Sequence, residues 1–176
     1  AIGAPVRGAP RPAVDITAGR ADYVAITHPS FAAGIEPLVR HHESRGLTVK
    51  VVDARDVYDR YSGGVMDPEA IRAYIAEAKA RLGTRFVLLV GGDTYDYLNY
   101  LKKGSISFIP TPYVQAHAVV YFAPMDALYA DTDGDNVSDV ALGRLPVRTA
   151  AELESVVAKT LAYAGKTYGG TAVFAA

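Results

Sequence analysis

The sequence contains no cysteine. That excludes disulfide staples, thiolate metal ligands and a cysteine nucleophile within the chain, and leaves its redox compartment open. It also has almost no net charge: 18 Lys and Arg stand against 19 Asp and Glu, for a formal charge of −1. The basic residues are scattered, whereas phosphate backbones are held by concentrated basic faces, so no nucleic acid partner is implied. Long apolar runs are missing as well. The runs "FVLLV" and "AVVYFAPM" fall far short of the roughly 20 residues that cross a bilayer. No membrane span is expected, and the protein should be soluble. The chain does not open on Met, nor on a charged start followed by an apolar stretch. A secretion leader is therefore expected to have been removed or to lie outside this sequence.

What is present is a chain of 176 residues, half of them hydrophobic. One globular domain with a substantial core is expected. Residues 1–20 mix Pro, Gly and Arg without periodicity and read as an extended linker, leaving 21–176 as the packed α/β unit. From Asp22, "DYVAIT" has the β-branched and aromatic character of a strand. Phe31, Ile35, Leu38 and Val39 then recur at helical spacing, with Ser30 as the expected cap and Pro37 as an expected distortion of the first turns. "LTVKVVD" reads as a second strand, and "VYDRYSGGV" as a loop. Asp67 and Pro68 read as the N-cap and first residue of a helix whose inner face is Ile71, Tyr74, Ile75 and Ala78. "RFVLLVGGD" is continuously apolar, as a strand covered on both faces should be.

Strand, helix, strand, helix, strand predicts a three-layer, mostly parallel α/β sheet flanked by helices, a doubly wound arrangement. Ligands of such sheets bind beyond the carboxyl ends of the strands, here at Thr27 and His28, Asp53, and Gly91, Gly92 and Asp93. A Tyr- and Pro-rich excursion over about 95–124 is long for a connection and reads as a loop or hairpin insertion. Near the end, "TAAELESVVAKTLAYA" is an amphipathic helix with a capping box between Thr149 and Glu152 and an apolar stripe of Leu153, Val156, Val157, Thr160 and Leu161. The closing "TAVFAA" resembles the opening of another strand.

The most unusual segment is "DTDGDNVSD", residues 131–139, with four carboxylates and no basic residue. Two carboxylates about 5 Å apart repel by roughly 0.8 kcal/mol in bulk water and about 3 kcal/mol at an effective dielectric near 20. A hard cation removes that cost. Asp131, Asp133, Asp135 and Asp139 fall at loop positions one, three, five and nine, the spacing by which a turn collects oxygen ligands for calcium. Gly134 and Asn136 tolerate the left-handed backbone that a sharp turn needs. The loop is not an EF-hand, because position six is Asn136 and position twelve is Leu142. The bland reading is an exposed acidic hairpin screened by water and salt.

The segment "DALYADTDGDNVSDVALGRLPVRTAAELESVVAKTLAYA", together with "GLTVKVVD" and "FVLLVGGD", resembles the gingipain family of cysteine peptidases. The resemblance covers the chain from about Asp22 to its end. It implies a caspase-like fold in a secreted peptidase, extracellular or at the cell surface, whose catalytic domain has two subdomains. The family's catalytic His and Cys belong to the second subdomain, and neither motif is present here. No catalytic residue carries over. The chain is then expected to be an amino-terminal subdomain, inactive alone, that binds one structural calcium and partners a carboxyl-terminal catalytic subdomain of the same protein. The full-length enzyme would act on protein or peptide substrates. The alternative is a non-catalytic, calcium-stabilised binding module on the cell surface.

Local residues offer weak substitutes for the missing dyad. His28, Ser30 and Asp93 lie near the same sheet edge, but a Ser before a helix is usually a cap, and no nucleophile elbow is present. His41 and His42 are neighbours on a helix and cannot easily chelate one ion. His117 has no pattern around it. "VGGD" lacks the dinucleotide fingerprint and the Walker sequence, so its glycines read as a tight turn and Asp93 as a cap or loop-orienting residue. The tyrosines of the excursion, Tyr95, Tyr97, Tyr100, Tyr113 and Tyr121, read as packing of the insertion or as a recognition surface.

Overall fold

A computed structural model gives the fold and describes residues 14–97, 99–164 and 166. Four parallel strands form the central sheet: β1 (Tyr23–Thr27), β2 (Val49–Asp53), β3 (Phe86–Val90) and, after a small hairpin of β4 (Tyr113–Val114) and β5 (Ala123–Pro124), β6 (Ala141–Leu145). Their spatial order is β2-β1-β3-β6. In register, Tyr23 lies opposite Val49 on one side and Phe86 on the other, and Phe86 lies opposite Ala141.

Period-two alternation divides the apolar residues between two layers. Val24, Ile26, Val52, Val87 and Leu89 face one core, packed under α2 (Ala54–Tyr61), α3 (Pro68–Leu82) and α4 (Ala127–Ala130). Ala25, Leu88 and Val90 face the other, with Phe31, Leu38, Leu153 and Val157, under α1 (Glu36–Ser44) and α5 (Ala150–Ala164). The expected three-layer α/β architecture is therefore observed.

The caps explain where the helices begin. Asp67 accepts the Glu69 amide, Pro68 fills the first turn, and Gly83 ends α3 in the left-handed region at φ 75°. Ile71, Tyr74, Ile75 and Ala78 are fully buried as that pattern predicts, and each large apolar side chain so placed stabilises the fold by roughly 1.5–3 kcal/mol. In α5, Glu152 N–H donates to Thr149 Oγ1 at 3.2 Å, while Thr149 N–H donates to the Glu152 carboxylate at 3.3 Å. Leu153 and Val157 are its buried residues.

Four expectations are corrected. The helix expected from Ser30 is two pieces: a 3-10 turn (Pro29–Phe31) and then α1, which starts at Glu36. The turn is capped by the His28 ring, whose Nδ1 accepts the Ser30 amide at 3.3 Å. Pro37 falls in the first turn of α1, where a missing N–H costs nothing, so it does not distort the helix. The segment read as a loop after β2 is α2, capped by Asp53 accepting the Arg55 amide at 2.8 Å, with Val57 and Tyr58 buried beneath it. It stops where Gly63 and Gly64 turn left-handed. Finally, the packed unit starts inside the expected linker of residues 1–20. Ile16 is only 2% exposed, and its carbonyl accepts the Tyr74 hydroxyl at 3.1 Å. The remainder of that linker, and the strand expected at "TAVFAA", lie outside the described residues.

Candidate functional site

The carboxyl edge of the sheet is crowded by its own chain. Gly91, at φ 142°, occupies backbone space that L side chains rarely enter, and a Cβ there would lie 2.6 Å from Phe108 Cβ. The glycine thus lets the 107–111 segment close down over the strand ends, and Phe108 N–H donates to Gly92 O at 2.9 Å. Phe108 also packs on His28 and Phe31, with centroids 5.1 and 4.8 Å apart. This contact lies at the carboxyl ends of β1 and β3, where a doubly wound sheet usually takes a nucleotide.

Asp93 orients the excursion, as its position after β3 suggested. Its carboxylate accepts the Ser107 hydroxyl at 2.5 Å, the Thr111 amide at 2.9 Å and the Tyr113 hydroxyl at 3.3 Å. It does not meet His28, whose Nδ1 is taken by the Ser30 backbone rather than the Ser30 hydroxyl. His28, Ser30 and Asp93 therefore form no relay. Burial holds the His28 imidazole below its ordinary pKa, against a partial counter-effect from Asp53. His41 and His42 meet edge to face at 5.6 Å, and His42 stacks on Tyr23. The His117 ring accepts the Val119 amide at Nδ1, 3.4 Å away.

Arg144 on β6 ties this edge together, and sequence reasoning assigned it no role. Its guanidinium donates to both oxygens of Asp126, to the carbonyls of Gly91, Ile109 and Pro110, and to Thr111 Oγ1. Its side chain is 11% exposed. A charge in the middle of a strand pattern was the available signal, since buried arginines require partners.

The acidic loop is held by more than solvent. Asp131, only 6% exposed, accepts the amides of Gly134 at 2.7 Å and Asn136 at 3.1 Å. Asp139 accepts the Thr132 amide at 2.9 Å and pairs with the Lys79 ammonium reaching across from α3. That ammonium, followed by the Thr132 donors, holds the Asp139 carboxyl well below the usual range. Gly134 and Asn136 are left-handed, at φ 85° and 67°, as the turn chemistry predicts. Oxygens of Asp131, Asp133 and Asp139 lie within 4.8 Å of one another. Asp135, the fourth expected ligand, is not in that group; its carboxylate accepts the Val137 amide at 2.8 Å.

The fold is thus a parallel sheet covered on both faces, with a hairpin excursion and an acidic turn leading into its last strand. The model of peptidase family C25 matches residues 16–175, and the chain belongs to that family, the gingipain family. Among solved structures, it is similar to dimeric latent PorU from Porphyromonas gingivalis, with a TM-score of 0.64 and 24% identity, over 81% of this chain and 15% of that one. A second solved structure, of a protease, aligns with a TM-score of 0.57 and 17% identity over 85% of this chain and 29% of that one. Both likenesses concern the fold, and the chain spans less than a third of either neighbour. None of the curated proteins matches.

Proposed function

We propose that this chain is the amino-terminal subdomain of a secreted cysteine endopeptidase, a scaffold for a carboxyl-terminal catalytic subdomain and inactive by itself. The observation that carries this reading is a peptidase-family match over residues 16–175 in a chain without a single cysteine. The short span relative to the structural neighbours supports it. In the whole protein the chemistry would be acyl transfer: a Cys thiolate attacks the scissile carbonyl of a protein or peptide, a His protonates the leaving amine, and water hydrolyses the thioester. This chain's contribution is a rigid sheet edge, fixed by Arg144 and Asp93. Secretion to the extracellular space or cell surface is the matching location, and fractionation of the native host tests it.

The acidic loop is the proposed site of a structural calcium ion. Its all-oxygen donor set suits a hard cation. Asp131, Asp133 and Asp139 would hold the ion, which would supply charge neutralisation in place of, or beside, Lys79. A melting curve with calcium and with chelator tests this. Binding to the folded state alone raises the midpoint by mass action, and an unchanged midpoint would remove the site.

One observation favours the alternative of a non-catalytic binding module. Tyr95, Tyr100, Val119 and Phe122 are 67%, 78%, 77% and 78% exposed on the excursion, an apolar surface suited to contact. The downstream reading frame separates the two readings. A Gly-His-Gly followed by a strand ending in Cys supports the peptidase, and its absence supports the module.

A further inference from the structure

At the opposite end of the sheet, under the amino ends of the strands, lies a cavity of about 380 Å³ lined by Tyr23, His42, Arg45, Leu47, Arg85 and Phe86. Tyr23 and Phe86 are the first residues of the paired strands β1 and β3, and Arg45 caps the end of α1, so three elements fix the walls. The walls are flat. The Tyr23 and His42 rings stack with centroids 4.4 Å apart, Phe86 lies nearly parallel to Tyr23 at 6.3 Å, and the Arg85 guanidinium sits 5.4 Å from the Phe86 ring centre.

The polar groups of this cavity are largely uncommitted. Among the described residues, neither the Tyr23 hydroxyl nor the Arg45 guanidinium has a hydrogen-bond or ion-pair partner. Arg85 reaches Asp22 only at 3.5 Å, and that carboxylate is already engaged by Arg20 at 2.9 Å and the Thr48 amide at 3.1 Å. Burial pushes the Tyr23 phenol up to about 12, so it remains a donor at neutral pH. Flat aromatic walls select a planar ring. Two guanidiniums, whose forks match a carboxylate, and a free phenol donor select an anion beside it.

We propose that this cavity binds a planar aromatic ring bearing a carboxylate, supplied either as a free small molecule or as the C-terminal aromatic residue of a peptide. The ring lies against Tyr23, His42 and Phe86, and the carboxylate meets Arg45, Arg85 and the Tyr23 hydroxyl. The site is remote from the Arg144 edge and independent of the peptidase reading.

The test is a nuclear magnetic resonance titration of the full chain with two probes: 2-naphthoate, and the tripeptide Gly-Gly-Phe as free acid and as amide. Saturable shifts confined to the six lining residues are expected for at least one probe. Naphthoate alone identifies the small-molecule source, and the free-acid peptide alone, with its amide silent, identifies the peptide source. The neutral 2-naphthalenemethanol should bind at least tenfold more weakly, and the combined Arg45→Ala and Arg85→Ala variant should lose at least tenfold. Both arginines are exposed, so an unchanged melting midpoint verifies that this variant folds. Absence of saturable binding at millimolar concentration, equal binding of the neutral ring, or shifts elsewhere would overturn the proposal.

Discussion

Arg144 grips Asp126 through two parallel hydrogen bonds of 2.6 and 2.8 Å, and the same guanidinium gathers carbonyls from Gly91, Ile109 and Pro110. One side chain therefore fixes the end of β3, the 107–111 segment and the approach to α4. Replacing Arg144 with Met leaves Asp126 and three carbonyls without their donor, and losing hydrogen bonds to a charged group in this partly buried setting should cost about 1.5–3 kcal/mol. Arg144→Lys should recover only a minor part, because an ammonium cannot reproduce the planar fork. Urea unfolding of both variants measures this.

The sheet and most helices were legible because their signals are local. The alternation of β1 and β3, the Asp67 and Pro68 start of α3 and the Thr149 and Glu152 box each lie within a few residues of the element they define. The helix α2 was missed because its buried face is marked by Ala54, Val57 and Tyr58 alone, and its cap, Asp53, is also the last residue of β2. Arg144 was missed for another reason. Its partners come from residues 91, 109, 110, 111 and 126, and only folding brings them together. In the acidic loop, spacing along the chain put Asp135 on a par with its neighbours, whereas the turn directs it to its own backbone at Val137. Lys79, the loop's cationic neighbour, is 60 residues away in sequence from Asp139.

Three buried tyrosines should respond differently to loss of the hydroxyl. The Tyr129 hydroxyl donates to Pro110 O at 2.7 Å and that of Tyr74 to Ile16 O at 3.1 Å, while the buried Tyr58 hydroxyl has no partner among the described residues. Tyr129→Phe and Tyr74→Phe should each cost about 1 kcal/mol, the net worth of a hydrogen bond. Tyr58→Phe should be neutral or stabilising by about 1 kcal/mol, because it removes an unsatisfied buried group. Denaturant midpoints at equal m-value give the ranking.

The acid limb of stability should depend on Asp22. Its hydrogen bond from Arg20, then the Thr48 amide, lowers its pKa from the ordinary 3.8 to about 2. A carboxylate with a depressed folded pKa stabilises the fold above its unfolded pKa, and the contribution disappears as pH falls through the folded one. The window is therefore about pH 4 down to about pH 2. Asp22→Asn should be less stable than the parent at neutral pH, and the difference should shrink across that window. A series of thermal melts against pH reads it directly.

Lys79 and calcium should compete for the same carboxylates. Lys79→Ala removes the ammonium that pairs with Asp139, so the calcium-free protein should lose stability and the Asp139 pKa should rise toward its ordinary value. The same substitution should tighten calcium binding, because the ion no longer displaces a resident cation. At a calcium concentration 100 times Kd, the folded state gains about 2.7 kcal/mol. Asp133→Ala should abolish that gain. Calorimetric titration of the parent and both variants checks the order.

The central claim, that a C25 fold without a thiol is a scaffold, is tested most directly by assaying the purified chain on fluorescently labelled denatured casein with calcium present. The account predicts no hydrolysis above buffer in any fraction across a gel-filtration peak. Hydrolysis that co-elutes with the chain and persists in the presence of inhibitors of contaminating peptidases would contradict it.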